Sequence, residues 1–301
     1  MPSFEERGNL RGKQAIIIGG GYGIGAAVTR ALADAGVELA VCDNDAEALP
    51  ETVAAAESAG VPVFSRCFDA LDIKELEAFY QETGKRMGHL DIVVNVVGGT
   101  YLQRFEDSTP EDWNSEIHRN YGYVLYSTRA ALPLLRKGGR GGSIINFTTI
   151  EAHRGAASIA VYAGAKAGLT NYSRAMAVEL GRERIRVNTM ATDLTPTRGN
   201  WNATPVERRV ALQSLPSVLF EKAIAIPTPR GDPPTEYEIA NGVLFLASDL
   251  SSGVTGTTLH VDGGTYAASG FNHWPFGDGV GPMPFDNTLQ RLFPEDIPSG
   301  V

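Results

Sequence analysis

Short apolar runs recur along the chain, separated by stretches whose apolar positions repeat every three or four residues. The runs cover 14–18, 38–42, 61–67, 92–97, 143–147, 186–190 and 258–261. Ala15-Ile16-Ile17-Ile18 is apolar without alternation, the pattern of a strand covered on both faces. Such strands with helices between them predict an α/β fold, a doubly wound parallel sheet of about seven strands in one domain. Two segments break the alternation. Residues 194–234 end in Pro227, Pro229, Pro233 and Pro234 and hold an amphipathic piece over 206–220, which suits a substrate-binding lid. The C-terminal extension, 265–301, carries Tyr266, Phe271, Trp274, Phe276, Phe285 and Phe293 among its prolines and glycines. Six exposed aromatics would be costly, so the tail is expected to dock on its own subunit or a neighbour rather than to be disordered.

Composition narrows the function classes. With 43% hydrophobic and 20% charged residues in 301, the chain can bury a sizeable core. A net charge of −9 argues against a nucleic-acid or anionic-membrane partner, both of which attract basic surfaces. No apolar run approaches the roughly 18 to 20 residues that span a bilayer. Cys42 and Cys67 have no zinc spacing and are too few for a disulfide framework, so a reduced, cytoplasmic setting is expected, with no metal.

The chemistry gathers where strands end. The first run leads into Gly19-Gly20-Gly21-Tyr22-Gly23-Ile24-Gly25 and then into a helical stretch. A glycine turn between strand and helix lets backbone N–H groups approach a pyrophosphate, with the helix dipole aimed at it. Asp43, at the end of the second strand, stands where a carboxylate holds ribose hydroxyls and repels a 2′-phosphate, which favours NAD over NADP. The same residue could cap the following helix, as could Asn44 or Asp45. Tyr162 and Lys166 are four apart in a helix-compatible stretch and share one face. An ammonium beside a phenol lowers the pH at which the phenol ionises, as a tyrosine base requires. Otherwise Tyr162 is a packed aromatic and Lys166 a solvated charge.

These motifs and their order make the chain resemble the classical-type short-chain dehydrogenases/reductases over residues 10–264. Gly19-x-x-x-Gly23-Ile24-Gly25 is similar to the family's glycine loop, Asn95-Val96-Val97-Gly98 to its fourth-strand motif, and Tyr162-Ala163-Gly164-Ala165-Lys166 to its Tyr-x-x-x-Lys. Arg186-Val187-Asn188 and Val261-Asp262-Gly263-Gly264 complete the series. The resemblance implies a Rossmann-type fold and NAD-dependent interconversion of a secondary alcohol and a ketone. The catalytic set it implies is Tyr162, Lys166, Thr149 and Asn120. The cofactor set is Gly19, Gly21, Tyr22, Gly23, Ile24, Gly25, Asp43, Asp69, Ala70, Asn95, Val97, Gly98, Tyr162, Lys166, Thr192 and Thr197. Assembly as a homo-dimer or homo-tetramer through the helices near 110–136 and 161–181 is also implied.

The departures are specific. Thr149 stands thirteen residues before Tyr162, where the family has serine, with Thr148 the alternative donor. Ile18 replaces the threonine before the glycine loop, and Thr192-Asp193 replaces Pro-Gly beside the nicotinamide. Glu151, His153 and Trp201 are candidate substrate contacts. Apolar lid positions (Leu212, Leu215, Val218, Leu219, Phe220) point to a bulky apolar or cyclic, steroid- or terpenoid-like, substrate. The same catalytic residues would also serve a 3-oxoacyl-type reductase or a sugar or polyol dehydrogenase. A non-catalytic NAD-binding sensor or assembly subunit is the alternative of another class.

Overall fold

The computed structural model describes residues 3–195, 216–275, 280–284 and 288–292. After a short helix α1 (Phe4–Gly8) the chain alternates β1 (Gln14–Ile18), α2 (Gly23–Asp34), β2 (Glu38–Asp43), α3 (Ala48–Glu57), β3 (Val63–Cys67), α4 (Ile73–Met87) and β4 (Ile92–Asn95). There follow α5 (Pro110–Ile117), a π-helical turn (His118–Gly122), α6 (Tyr123–Gly138), β5 (Gly142–Thr149), α7 (Ala160–Leu180) and β6 (Ile185–Thr192). Beyond the undescribed 196–215 come α8 (Ser217–Ala225), α9 (Glu236–Ala247) and β7 (Thr258–Val261).

Seven strands pair in parallel in the order β3-β2-β1-β4-β5-β6-β7. The alternation of strand side chains divides the core in two. Ala15, Ile17, Leu39, Val41, Val94 and Ile145 face α2 and α9. Ile16, Ile18, Ala40, Val93, Ile144 and Val187 face α4, α6 and α7. Continuous apolar strands therefore bury both faces, as the sequence pattern requires.

Strand order reverses between β1 and β4, which opens a crevice at their C-terminal ends, the place where doubly wound sheets take ligands. Val96 and Val97, expected to continue the fourth strand, leave it instead: their N–H groups both donate to the carbonyl of Ile18, which turns the chain into Gly98. β6 continues through Thr192, which pairs with Thr149 on one side and Val261 on the other.

The described part of the tail folds onto the chain. A helix α10 (Thr265–Ala268) and a hairpin of β8 (Asn272–His273) with β9 (Val280–Gly281) precede α11 (Thr288–Leu292). Trp274 Nε1 donates to the Gly281 carbonyl, Thr288 Oγ1 to that of Pro275, and His273 N to that of Ile226 after α8. Docking on the same subunit is thus observed for these residues; Phe276, Phe285 and Phe293 lie outside them.

Candidate active site

The glycine loop is held from three sides. Gly19 N and Gly20 N donate to the Cys42 carbonyl at 2.9 Å. The hydroxyls of Thr29 from α2 and Thr52 from α3 donate to the carbonyls of Gly20 and Gly21. Two glycines are forced by close approach. A Cβ on Gly25 would lie 1.8 Å from the Gly19 carbonyl oxygen, and one on Gly98 would lie 2.7 Å from Lys166 Nζ and 3.0 Å from Asn120 Oδ1. α2 starts at Gly23 after Tyr22, with no side chain capping its first N–H groups. Those amides remain directed at the crevice, as an anion there would need.

Asp43 is not the helix cap. Its Oδ2 accepts from Gly21 N at 2.9 Å and its Oδ1 from Asp45 N at 3.0 Å, while Asp45 accepts from Glu47 N and Ala48 N before α3. Burial, partly offset by these backbone hydrogen bonds, raises the Asp43 carboxyl above its ordinary range, and Asp45 adds a second negative charge. Asp69 is exposed, its Oδ1 accepting from Leu71 N, with Ala70 buried beside it.

Asn95 departs from expectation. Its amide donates to Asn146 Oδ1 at 2.8 Å and accepts from Ser127 Oγ at 2.6 Å. Tyr80 joins Ser127 at 2.7 Å, and Asn146 continues to Ser173 at 2.9 Å. The Asn95 side chain thus belongs to a buried polar chain that crosses the sheet, and is not directed at a ligand.

Four expected groups converge past the ends of β4 and β5. Asn120 sits in the π-helical turn, where the widened backbone brings its amide to Gly99: Oδ1 accepts from Gly99 N and Nδ2 donates to Gly99 O and Glu116 O, all within 3.0 Å. Lys166, 3% exposed, spends one N–H on the Phe147 carbonyl at 2.9 Å. Burial lowers its ammonium from 10.5 to about 8, with Glu116 pulling the other way. Thr148 turns inward to Thr170 and the Lys166 carbonyl, whereas Thr149 faces Tyr162 and donates its hydroxyl proton to Glu151 Oε2. The alternation of β5 therefore decides for Thr149.

The Tyr162 phenol is held well above its ordinary value. Burial is the main cause, the hydrogen bond with Thr149 opposes it, and the carboxylates of Glu151 and Glu116 add to it. Lys166, whose Nζ lies 6.0 Å from the Tyr162 ring centroid, does not offset these effects. In the protein alone the lowering expected from the Tyr-x-x-x-Lys spacing is outweighed, chiefly because burial disfavours the charged phenolate.

Past Thr149 several polar side chains gather. Glu151 Oε1 accepts from Arg154 Nη2 at 2.9 Å. Asp193 is largely buried; that burial raises its carboxyl, which the Leu194 backbone and the Thr265 hydroxyl bind, with Glu151 and Arg154 in its field. Next to them His260 and Tyr266 stack with centroids 4.4 Å apart, and His153 tilts against both at 5.1 and 5.4 Å. Burial lowers both imidazoles, and the His260 charge lowers His153 further. Glu116, Arg154, Asp193, His260 and Tyr266 were not singled out as site residues. Glu116 alone had a signal, being one helical turn before Asn120. Thr197 and Trp201 lie outside the described residues; Thr192 ends β6.

The family model for enoyl-(acyl carrier protein) reductase matches residues 19–266. The chain belongs to the short-chain dehydrogenase/reductase family. D-xylose 1-dehydrogenase of Caulobacter vibrioides is 34% identical over 262 residues, covering 85% of this chain and 96% of that protein. Among solved structures, carveol dehydrogenase from Mycobacterium avium in complex with NAD superposes with a TM-score of 0.80 at 28% identity, over 86% and 99% of the two chains. A 7α-hydroxysteroid dehydrogenase complexed with NADH and 7-oxo glycochenodeoxycholic acid gives 0.77 at 30% identity, over 88% and 98%. The seven-stranded parallel sheet is the fold of these short-chain dehydrogenases/reductases.

Proposed function

We propose that the chain is an NAD-dependent oxidoreductase that interconverts a secondary alcohol and a ketone on a polar, hydroxylated substrate such as a sugar or polyol. The convergence of Tyr162, Thr149, Lys166 and Asn120 at the mouth of the glycine-lined crevice carries this reading. The residues present fit a dinucleotide: the first N–H groups of α2 carry no side-chain cap, as a pyrophosphate needs, and a buried ammonium has two donors left for ribose hydroxyls. Asp43, with Asp45 behind it, disfavours a 2′-phosphate and supports NAD over NADP.

NAD supplies the hydride acceptor and, when oxidised, a positive charge. Everything else falls to the chain. In oxidation Tyr162 takes the hydroxyl proton, and in reduction it returns one to the carbonyl oxygen. Because its phenol is held up, Tyr162 is a proton donor in the protein alone. Thr149, whose hydroxyl donates to Glu151 in the protein alone, would turn that proton to the substrate oxygen.

The polar-substrate reading replaces the expectation of a bulky apolar one. Glu151, Arg154 and Asp193 offer acceptors and a donor for substrate hydroxyls. Val218 and Leu219 of α8 are each 48% exposed, and Leu212, Leu215 and the Phe220 side chain lie outside the described residues. Similarity to a D-xylose dehydrogenase supports the same reading. A 3-oxoacyl-type reductase is the second reading, favoured by the acyl-carrier description of the matching family model. Assembly as a homo-dimer or homo-tetramer belongs to the proposal. A screen of sugars, polyols, cyclic alcohols and 3-oxoacyl thioesters with both cofactors, followed by NADH or NADPH absorbance, separates these readings. NADP preference would remove the Asp43 argument, and turnover confined to steroids or terpenoids would remove the polar-substrate one.

A further inference from the structure

A second cavity opens where β5 and β6 begin, at the edge of the sheet opposite the crevice. Gly142 and Ser143 of β5 and Ile185 and Arg186 of β6 line it, together with the loops that enter the sheet from α6, α7 and α9. Its volume of about 510 Å³ is that of a small-molecule site. Lys13, Arg140, Arg184 and Arg186 face it with Asp91 and Asp249, an excess of positive charge in a chain whose net charge is −9. Both carboxylates are already engaged. Asp91 Oδ2 accepts from Gln14 N at 2.9 Å, and the carboxylate pairs with Arg140 at 3.2 Å and His89 at 3.3 Å. Asp249 holds Lys13 Nζ at 2.7 Å and Asn9 Nδ2 at 2.8 Å.

The other two cations pair with no carboxylate among the described residues. Arg186 Nη1 donates to the Leu246 carbonyl at 2.7 Å and the Ser251 hydroxyl at 2.8 Å, and its Nη2 to the Ser248 carbonyl at 3.2 Å. These acceptors are neutral, so the half-buried guanidinium keeps its charge and two unspent N–H groups. Burial lowers it, against the pull of Asp249. The Arg184 side chain makes no hydrogen bond or ion pair among the described residues. It also sits on a costly backbone. Arg184 ends the turn at 181–183 with φ 56°, in the left-handed region where glycine or asparagine is the ordinary residue. A Cβ on Gly141 would lie 2.3 Å from the Arg184 carbonyl oxygen and 2.8 Å from its Cβ, so the two loops clamp the root of this side chain at the cavity. Hydroxyls complete the lining. Thr255 Oγ1 accepts from Val187 N at 3.1 Å, which leaves its proton to donate, and Ser252 adds another O–H.

We propose that this cavity binds a small phosphate monoester, whose phosphoryl oxygens are held by Arg184, Arg186 and the Thr255 hydroxyl. A guanidinium meets a phosphoryl group through paired N–H donors, and two guanidiniums without carboxylates match its nearly double charge. Inorganic phosphate presents the same oxygens but fills little of such a volume, so the ester is the ligand. The site is separate from the crevice, and the proposal does not depend on the reaction carried out there.

The test is isothermal titration calorimetry on the full chain in excess NAD, with phenyl phosphate, glycerol 2-phosphate, inorganic phosphate and sulfate as titrants. Neither ester carries a free secondary alcohol, so neither is consumed at Tyr162. At least one ester is expected to bind with Kd below about 1 mM and about tenfold more tightly than inorganic phosphate. Arg184→Asn puts a residue that accepts left-handed backbone at this position. It is expected to melt no lower than wild type and to bind NAD equally, while its affinity for the ester falls at least about tenfold. If the Asn variant does not fold, Arg184→Gly carries the same comparison. Absence of ester binding, or ester affinity unchanged by the substitution, overturns the proposal. So does weak binding of phosphate and sulfate alike, the mark of an adventitious ion only. Equal affinity for ester and inorganic phosphate overturns the ester as the ligand.

Discussion

Lys166 shows how burial changes what a motif does. Spacing placed it on the face of Tyr162, but spacing carries no information about desolvation, and desolvation lowers its ammonium to about 8. The folded protein therefore binds this proton more weakly than the unfolded chain, where the ordinary 10.5 applies. Between these values the unfolded state holds more protons, so this group's contribution to stability rises with pH. Below about 8 the full cost of burying the ammonium is present, about 3 kcal/mol. Lys166→Met should accordingly melt above wild type at neutral pH, and its advantage should shrink as the pH climbs from about 8 toward 10.5. Thermal melts of both proteins across that window check it; a difference independent of pH would count against a buried charged lysine. Thr149 was reached by counting from Tyr162, yet only the inward turn of Thr148 to Thr170 settles which threonine faces the site. Glu151 and Asp193 are a harder case, since their approach depends on Thr149 and Thr192 being paired across β5 and β6.

At the scale of elements, the strands could be read closely because a sheet covered on both faces writes itself as unbroken apolar runs. The first and last strands, Gln14–Ile18 and Thr258–Val261, match their runs residue for residue. The fourth run overreaches because Val96 and Val97 are apolar for another reason. Val97 packs where a Cβ on Gly19 would stand, with its Cγ2 2.7 Å from that position. The π-helical turn that presents Asn120 had no pattern of its own, since its register change leaves residue spacing untouched. Nor was the polar chain from Tyr80 through Ser127, Asn95 and Asn146 to Ser173 apparent, for it links α4, α6, β4, β5 and α7 across the core. Truncating its centre leaves buried donors and acceptors unpaired. Asn95→Ala should cost about 1 to 3 kcal/mol, read from the denaturant midpoint. A midpoint equal to wild type would mean that the chain is not structural.

At the scale of the whole molecule, the expected single parallel sheet and its crevice appear, and the described part of the C-terminal segment packs on the chain. Its hairpin reaches the end of α8 through His273 N and Ile226 O. Helices α6 and α7 leave Leu125, Tyr126 and Val178 exposed, the last at 85%. Covering such residues fits a homo-oligomer, so light scattering after gel filtration should give the mass of a dimer or tetramer; a monomer at micromolar concentration would contradict it. The central claim concerns Tyr162, whose oxygen is the proton acceptor and donor for a polar alcohol beside NAD. It is tested most directly by following NADH formation from the substrate found in the screen, with wild type and with Tyr162→Phe at matched NADH binding. The predicted result is a loss of at least about a hundredfold in kcat with cofactor affinity retained. Turnover by the Phe variant at the wild-type rate would contradict it.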